Sequence, residues 1–356
     1  MPDEPSGHPQ VDLVFEGGGV KGIALVGAYS MLEEKGYVPH NVAGSSAGAI
    51  VAALVAAGYS AGELHDILTE TKFSQFEDAG WEKHILALGA PISILKDHGI
   101  YRGKQFHDWL STLLTKKGIT TFGQLKYPNE TDPRYRYRLQ VIVSDVTDRE
   151  LIILPRDADR LGLKPDDLEI AQAVRMSMSI PIFFEPVTAT GADGRDRVLV
   201  DGGMLSNFPV WIFDSDGEPE WPTFGLKLVA PDPKKPPSAG AQEPSVSRGA
   251  RQGLVHYLLG LVSTMTDAHD KVYLERDTFV RTITISNLGV RTTQFNLDPN
   301  LAQQLYQSGR DAAEAFLKTW NFDAYKSEFR AGKPYSRRDA VAAAMQPPAS
   351  TPPPAP

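Results

Sequence analysis

The chain has 356 residues, 42% of them hydrophobic, and a formal net charge of −8. That acidity argues against nucleic-acid binding and against broad electrostatic attachment to anionic membranes. The absence of cysteine excludes disulfides, thiol catalysis and cysteine-ligated metals, and the length suits one large α/β domain with insertions or two smaller ones.

Met1–Gln10 mixes Pro, Asp, Glu and Gly without an apolar stretch, so it reads as a flexible terminus and not as a secretion signal. Val11–Phe15 predicts a strand that runs into Glu16-Gly17-Gly18-Gly19-Val20-Lys21-Gly22 and then a helix from about Ile23 to Glu34. Consecutive glycines leave backbone N–H groups unshielded at the positive end of a helix, where they suit either a phosphate or an oxyanion. The spacing Gly17-x-Gly19-x-x-Gly22 also fits a dinucleotide-binding fingerprint, which makes an oxidoreductase a competing reading. That fold wants an acidic residue about twenty positions on, at the end of the second strand. Here the second strand, Asn41-Val42-Ala43, delivers a serine instead, and the phosphate-loop pattern fails because Lys21 is followed by Gly22.

Gly44-Ser45-Ser46-Ala47-Gly48 joins that short apolar run to Ala47–Ala57, a helix-length stretch of Ala, Val, Ile and Leu. A chain that reverses so sharply from strand to helix tolerates only minimal flanking side chains, and it leaves the serine exposed at a helix N-terminus. This points to acyl transfer at Ser46, with an oxyanion hole supplied by Gly17, Gly18, Gly19 and the Ala47 N–H. A second copy, Gly58-Tyr59-Ser60-Ala61-Gly62, has different surroundings: Gly58 stops one helix, and Ser60 with Glu63 forms a capping box for the next.

Phe73–Leu95 carries Phe76, Trp81, Ile85, Leu86, Leu88, Ile92 and Ile94 without a clean period, which suits a lid or acyl-binding wall, or a satellite core under the sheet. Phe106, Trp109, Leu110, Leu113 and Leu114 mark a core-facing helix. Strands are expected at Tyr137–Ser144, Glu150–Leu154, Arg197–Val200, Thr223–Val229 and Phe279–Ile285, in a largely parallel, doubly covered sheet. The strand Arg197–Val200 ends at Asp201-Gly202-Gly203, an aspartate positioned to face the same crevice as Ser46. Residues 231–247 read as a mobile loop, Gly249–Leu274 and Pro299–Lys318 as helices, and 331–356 as a tail that ends disordered and proline-rich. The longest apolar stretch, Ala47–Ala57, falls short of the roughly 20 residues that span a bilayer, so cytoplasmic or membrane-peripheral residence is expected. No H-E-x-x-H or similar spacing occurs, and neither metal nor cofactor is predicted.

The glycine motif, Gly44–Gly48 and Asp201–Gly203, in this order, resemble the patatin-like phospholipase family. Ala171–Pro181 is similar to that family's helix-to-proline segment, Asp201–Pro209 to its aspartate loop, and Met265–Phe295 to a segment of its bacterial members. The resemblance implies a three-layer α/β/α fold over residues 11–330 and lipid acyl hydrolysis of the phospholipase A or lysophospholipase type. It also implies a Ser46–Asp201 dyad without histidine, acting on lipid at a membrane surface. Lys21 stands where the family often has arginine, whose fork is absent from lysine. Two rivals remain: a Ser-His-Asp triad recruiting His256 or His269, both on a predicted helix, and a lipid-binding protein without turnover.

Overall fold

The computed structural model describes residues 7–71, 99–101, 103–231, 276–290 and 297–331. The expected segments at 73–95, 232–274 and 332–356, including His256 and His269, lie outside the described residues.

An eight-stranded sheet forms the centre, in the order β10-β9-β1-β2-β4-β8-β7 with β5 paired to β4. The strands are β1 (Gln10–Phe15), β2 (Val38–Ser45), β4 (Leu139–Asp145), β5 (Glu150–Leu154), β7 (Val187–Thr190), β8 (Asp196–Asp201), β9 (Thr223–Val229) and β10 (Thr282–Ser286). The five strands from β10 to β4 are parallel. β5, β7 and β8 add an antiparallel flank. Short β3 (Gly99–Tyr101) and β6 (Ile182–Phe184) pair separately. Gln10 belongs to β1, so this strand takes in the last residue of the expected flexible terminus, and residues 276–280 turn helically before β10.

Alternation along the strands divides the core. Leu13, Phe15, Val42, Leu139, Val141 and Val143 join one large cluster, packed with α1 (Gly22–Glu34), α2 (Ala47–Ala56), α3 (Ala61–Glu70), α4 (Lys104–Lys116), α5 (Ile170–Ser177) and, after the short α6 (Arg276–Val280), α7 (Pro299–Leu317). Their neighbours Val14, Ala43 and Ile142 point the other way, onto Phe208 and the 3₁₀ turn Val210–Phe213. Helical segments thus flank both sheet faces, giving three layers. α2 is buried along its whole length, consistent with its all-apolar sequence. Ser60 and Glu63 make the reciprocal capping bonds at the start of α3. In α4, Phe106, Leu110, Leu113 and Leu114 are buried as their spacing predicts.

α1 and α7 cross in close contact. A Cβ on Gly27 would stand 1.9 Å from the Tyr306 carbonyl oxygen, and one on Gly309 would stand 1.9 Å from that of Ala24. At the N-terminal end of the sheet, buried Asp12 accepts hydrogen bonds from the Asn41 N–H and Nδ2, each at 3.0 Å. Beside β10, Arg281 clamps Asp214 with two bonds of 2.5 and 3.0 Å, both side chains being buried.

Candidate active site

Strand register brings the three motifs together. Ser45 pairs with Ile142 on β4, while Asp201, arriving on the antiparallel neighbour β8, pairs with Val143. The serine and aspartate turns therefore leave the sheet next to one another along the same edge of β4, whose other edge is taken by β5. On the far side of β2, Phe15 pairs with Gly44, so the glycine loop after β1 starts beside the serine turn. A Cβ on Gly17 would lie 3.0 Å from Ser46 Cβ.

Ser46 has φ 52° and ψ −127°. A non-glycine residue held at such positive φ costs on the order of 1–3 kcal/mol and persists only where surrounding contacts over-determine it. Those contacts are backbone-tight: a Cβ on Gly44 would sit 2.3 Å from the Gly48 carbonyl oxygen, and one on Gly48 would sit 2.2 Å from that of Phe15. Both flanking glycines are thus required by close approach. The Ser46 N–H donates to Ser177 Oγ at 2.9 Å, and the Ser46 hydroxyl points at Met178 Sδ at 3.8 Å.

Asp201 is buried, and its Oδ1 accepts the Gly203 N–H at 2.7 Å. Burial pushes its carboxyl up to about 6, against smaller opposing effects from the neighbouring Ser46 side chain and the Gly203 N–H. In the rotamer present the serine hydroxyl is turned to Met178, and Asp201 Oδ2 has no hydrogen-bond partner. The main-chain N–H of Asp201 donates to the Ser179 carbonyl oxygen at 2.9 Å.

In the glycine loop, Gly17 differs from its neighbours. Its N–H donates to the Asn207 carbonyl oxygen at 3.2 Å, and its own carbonyl accepts from Asn207 Nδ2 at 3.1 Å. Gly17 is therefore an anchor for the loop, and its N–H is not directed at an incoming oxyanion, contrary to the sequence expectation. Gly18 and Gly19 lead into a 3₁₀ turn and Ala47 opens α2, positions whose N–H groups have no intrahelical acceptor. Glu16, just before the loop, is buried with Lys227 Nζ 3.3 Å from its Oε1, and its Oε2 accepts the Leu228 N–H. Lys21 folds its stem back over Gly18, whose Cβ would stand 3.6 Å from Lys21 Cε. Gly22 starts α1, and Gly202 and Gly203 form the 3₁₀ turn after Asp201.

Sequence reasoning gave no role to Ser177, Ser179 or Asn207. Their contribution depends on which chain segment each one meets, which no local spacing encodes. The described histidines lie elsewhere: His8 is beside Gly36, His40 stacks on Tyr127, His65 meets Tyr306 edge to face, and His107 sits by Asp108. A 330 Å³ cavity lined by Tyr29, Glu33, Tyr37, Tyr59 and Arg138 contains no residue of the three motifs. Among the described residues there is no group of three or more metal-ligating side chains, and no helix is long and apolar enough to cross a membrane.

The family model described as patatin-like phospholipase matches residues 13–214, which include all three motifs. The chain belongs to the patatin-like phospholipase family. This patatin-like chain is 38% identical over 312 residues to the uncharacterized protein YqhO of Bacillus subtilis, covering 88% of the chain and 99% of that relative. It is 31% identical over 208 residues to the uncharacterized NTE family protein Rv2565 of Mycobacterium tuberculosis, covering 58% of the chain but 29% of the relative. Among solved structures, VipD from Legionella pneumophila is similar in fold, with a TM-score of 0.54, 16% identity, and coverage of 88% of this chain and 67% of that one. Membership places the patatin-like protein among lipid hydrolases at the level of the family.

Proposed function

We propose that this chain is a carboxylic-ester hydrolase acting on lipid acyl chains, with Ser46 as nucleophile and Asp201 as its base. The observation that carries the reading is the pairing of a serine on a strained strand-to-helix turn with an adjacent buried carboxyl raised to about 6, one oxygen of which is unpartnered. A carboxylate of ordinary pKa near 3.9 is a poor base for an alcohol, and burial narrows that gap.

Rotation of the Ser46 hydroxyl toward Asp201 Oδ2 sets up the first step. Oγ attacks the ester carbonyl while Asp201 takes its proton, and the N–H groups of Gly18, Gly19 and Ala47 stabilise the oxyanion. Asp201 returns the proton to the departing alcohol, leaving an acyl-Ser46 ester. Water, deprotonated by Asp201, then releases the fatty acid and restores the serine. No metal or cofactor is required by these steps. Phospholipids and lysophospholipids are the proposed substrates, met at a membrane surface from the cytoplasmic side.

The test is mass-spectrometric detection of fatty acid released from phospholipid vesicles, lysophospholipids and short-chain esters by wild type and Ser46→Ala. Release that falls at least about 10³-fold in the variant, the scale on which nucleophile loss acts, supports the reading. Equal release by both proteins sinks it, and no release by either favours lipid binding without turnover.

A further inference from the structure

The three residues Ser177, Met178 and Ser179, where α5 ends, touch both members of the proposed dyad. The Ser46 N–H donates to Ser177 Oγ at 2.9 Å, the Ser46 hydroxyl meets Met178 Sδ, and the Asp201 N–H donates to the Ser179 carbonyl oxygen at 2.9 Å. Only the first of these main-chain bonds depends on a side chain. Ser177 and its partner are 131 positions apart in the chain, and Ser177 has 0% exposure.

This bond acts on the torsion that aims the nucleophile. With the Ser46 N–H fixed in space, φ at Ser46 sets the direction of its Cα–Cβ bond and hence the arc on which Oγ moves. The observed φ of 52° is one that an L-residue leaves readily unless held. Relaxing it swings Oγ away from Asp201 and turns the following Ala47 N–H as well. Alanine at 177 would remove the acceptor and leave a buried N–H unpaired. α5 is itself braced: buried Arg175 donates to Ser179 Oγ at 2.5 Å and to the Glu185 carbonyl at 2.8 Å.

We propose that Ser177 is a positioning residue for catalysis, whose hydroxyl oxygen holds the Ser46 main chain in its reactive conformation. The proposal rests on Ser46 being the nucleophile.

The experiment measures phosphonylation of Ser46 by a fluorophosphonate, in which Oγ displaces fluoride from phosphorus, together with kcat and KM for a p-nitrophenyl ester. Wild type, Ser177→Ala and Ser30→Ala are compared, the last removing another buried hydroxyl, one that donates to the Gly27 carbonyl in α1 and accepts from Arg310. Far-UV circular dichroism and Tm accompany each. The expected result is a fall of about 10- to 100-fold in phosphonylation rate and kcat for Ser177→Ala, with KM within about threefold, the scale of a small misplacement of a reacting group. Ser30→Ala should leave all three unchanged even where its Tm falls. If Ser177→Ala does not fold, Ser177→Cys, which fills the space with a poorer acceptor, is held to the same criterion. A folded variant that reacts at the wild-type rate overturns the inference, as does failure of both variants to fold, which makes the role structural. Wild type that is not labelled at Ser46 overturns the proposed function instead.

Discussion

At the scale of single residues, the proposed base Asp201 carries the expected pH dependence. Its folded pKa of about 6 lies above the ordinary value of 3.8, so ionisation is penalised in the folded state. The penalty is complete above about pH 6 and is relieved as pH falls through 6 toward 4, while the basic form that the proposed mechanism needs appears only as pH rises through 6. Ester hydrolysis is therefore expected to rise with pH around an apparent pKa near 6, and Asp201→Asn should abolish turnover yet stabilise the fold at pH 8. A kcat/KM profile flat from pH 5 to 8 would contradict this. Asp12 behaves alike for stability alone, since burial raises it to about 7 against hydrogen bonds from Trp221 and Asn41 and the charge of Arg281. Wild-type unfolding free energy should decline as pH rises from about 4 to 7, and Asp12→Asn should flatten that slope, most visibly between pH 6 and 7, in urea titrations.

At the scale of elements, the parallel strands and their helices were legible because apolar runs, glycine stops and caps all agree locally. β9 spans Thr223–Val229 as its composition suggests, and the last long helix starts at Pro299 behind its Asp298 cap. The antiparallel flank was less legible. β7 buries only alternate, partly covered residues and is joined to β8 by a short turn through Gly194, a signal easily taken for a loop. The meeting of the Ser46–Ala47 turn with Asp201 was readable because their neighbours are glycines with steric reasons to be there. Ser177 and Asn207 were not, because a buried hydroxyl or amide advertises nothing until its distant partner is placed. The α1–α7 crossing gives a test at this level: Gly309→Ala forces a Cβ against the Ala24 carbonyl oxygen, 1.9 Å away before any shift. A loss of about 1–3 kcal/mol is expected from such overpacking, read as a lower urea midpoint, and Gly62→Ala, with only the Ser60 Oγ as far as 4.0 Å, serves as the silent comparison.

At the scale of the whole molecule, the Arg281–Asp214 pair ties edge strand β10 to the segment that covers the second sheet face. Arg281→Met should cost about 3–5 kcal/mol, because it strands a buried carboxylate; chemical denaturation that shows less than 1 kcal/mol would mean water reaches Asp214. The α1–α7 crossing also has a bearing on biosynthesis. α1 follows directly on the glycine loop, yet its Ala24–Gly27 face is closed by Tyr306 and Gly309, almost 300 positions later. A ribosome emits the N-terminal end first, at about 5–20 residues per second. Ser46 and Asp201 thus leave the exit tunnel well before the helix that seals α1 has been made. For several seconds, then, the growing chain carries both residues of the proposed dyad outside the ribosome while the face of α1 that α7 will cover is still bare.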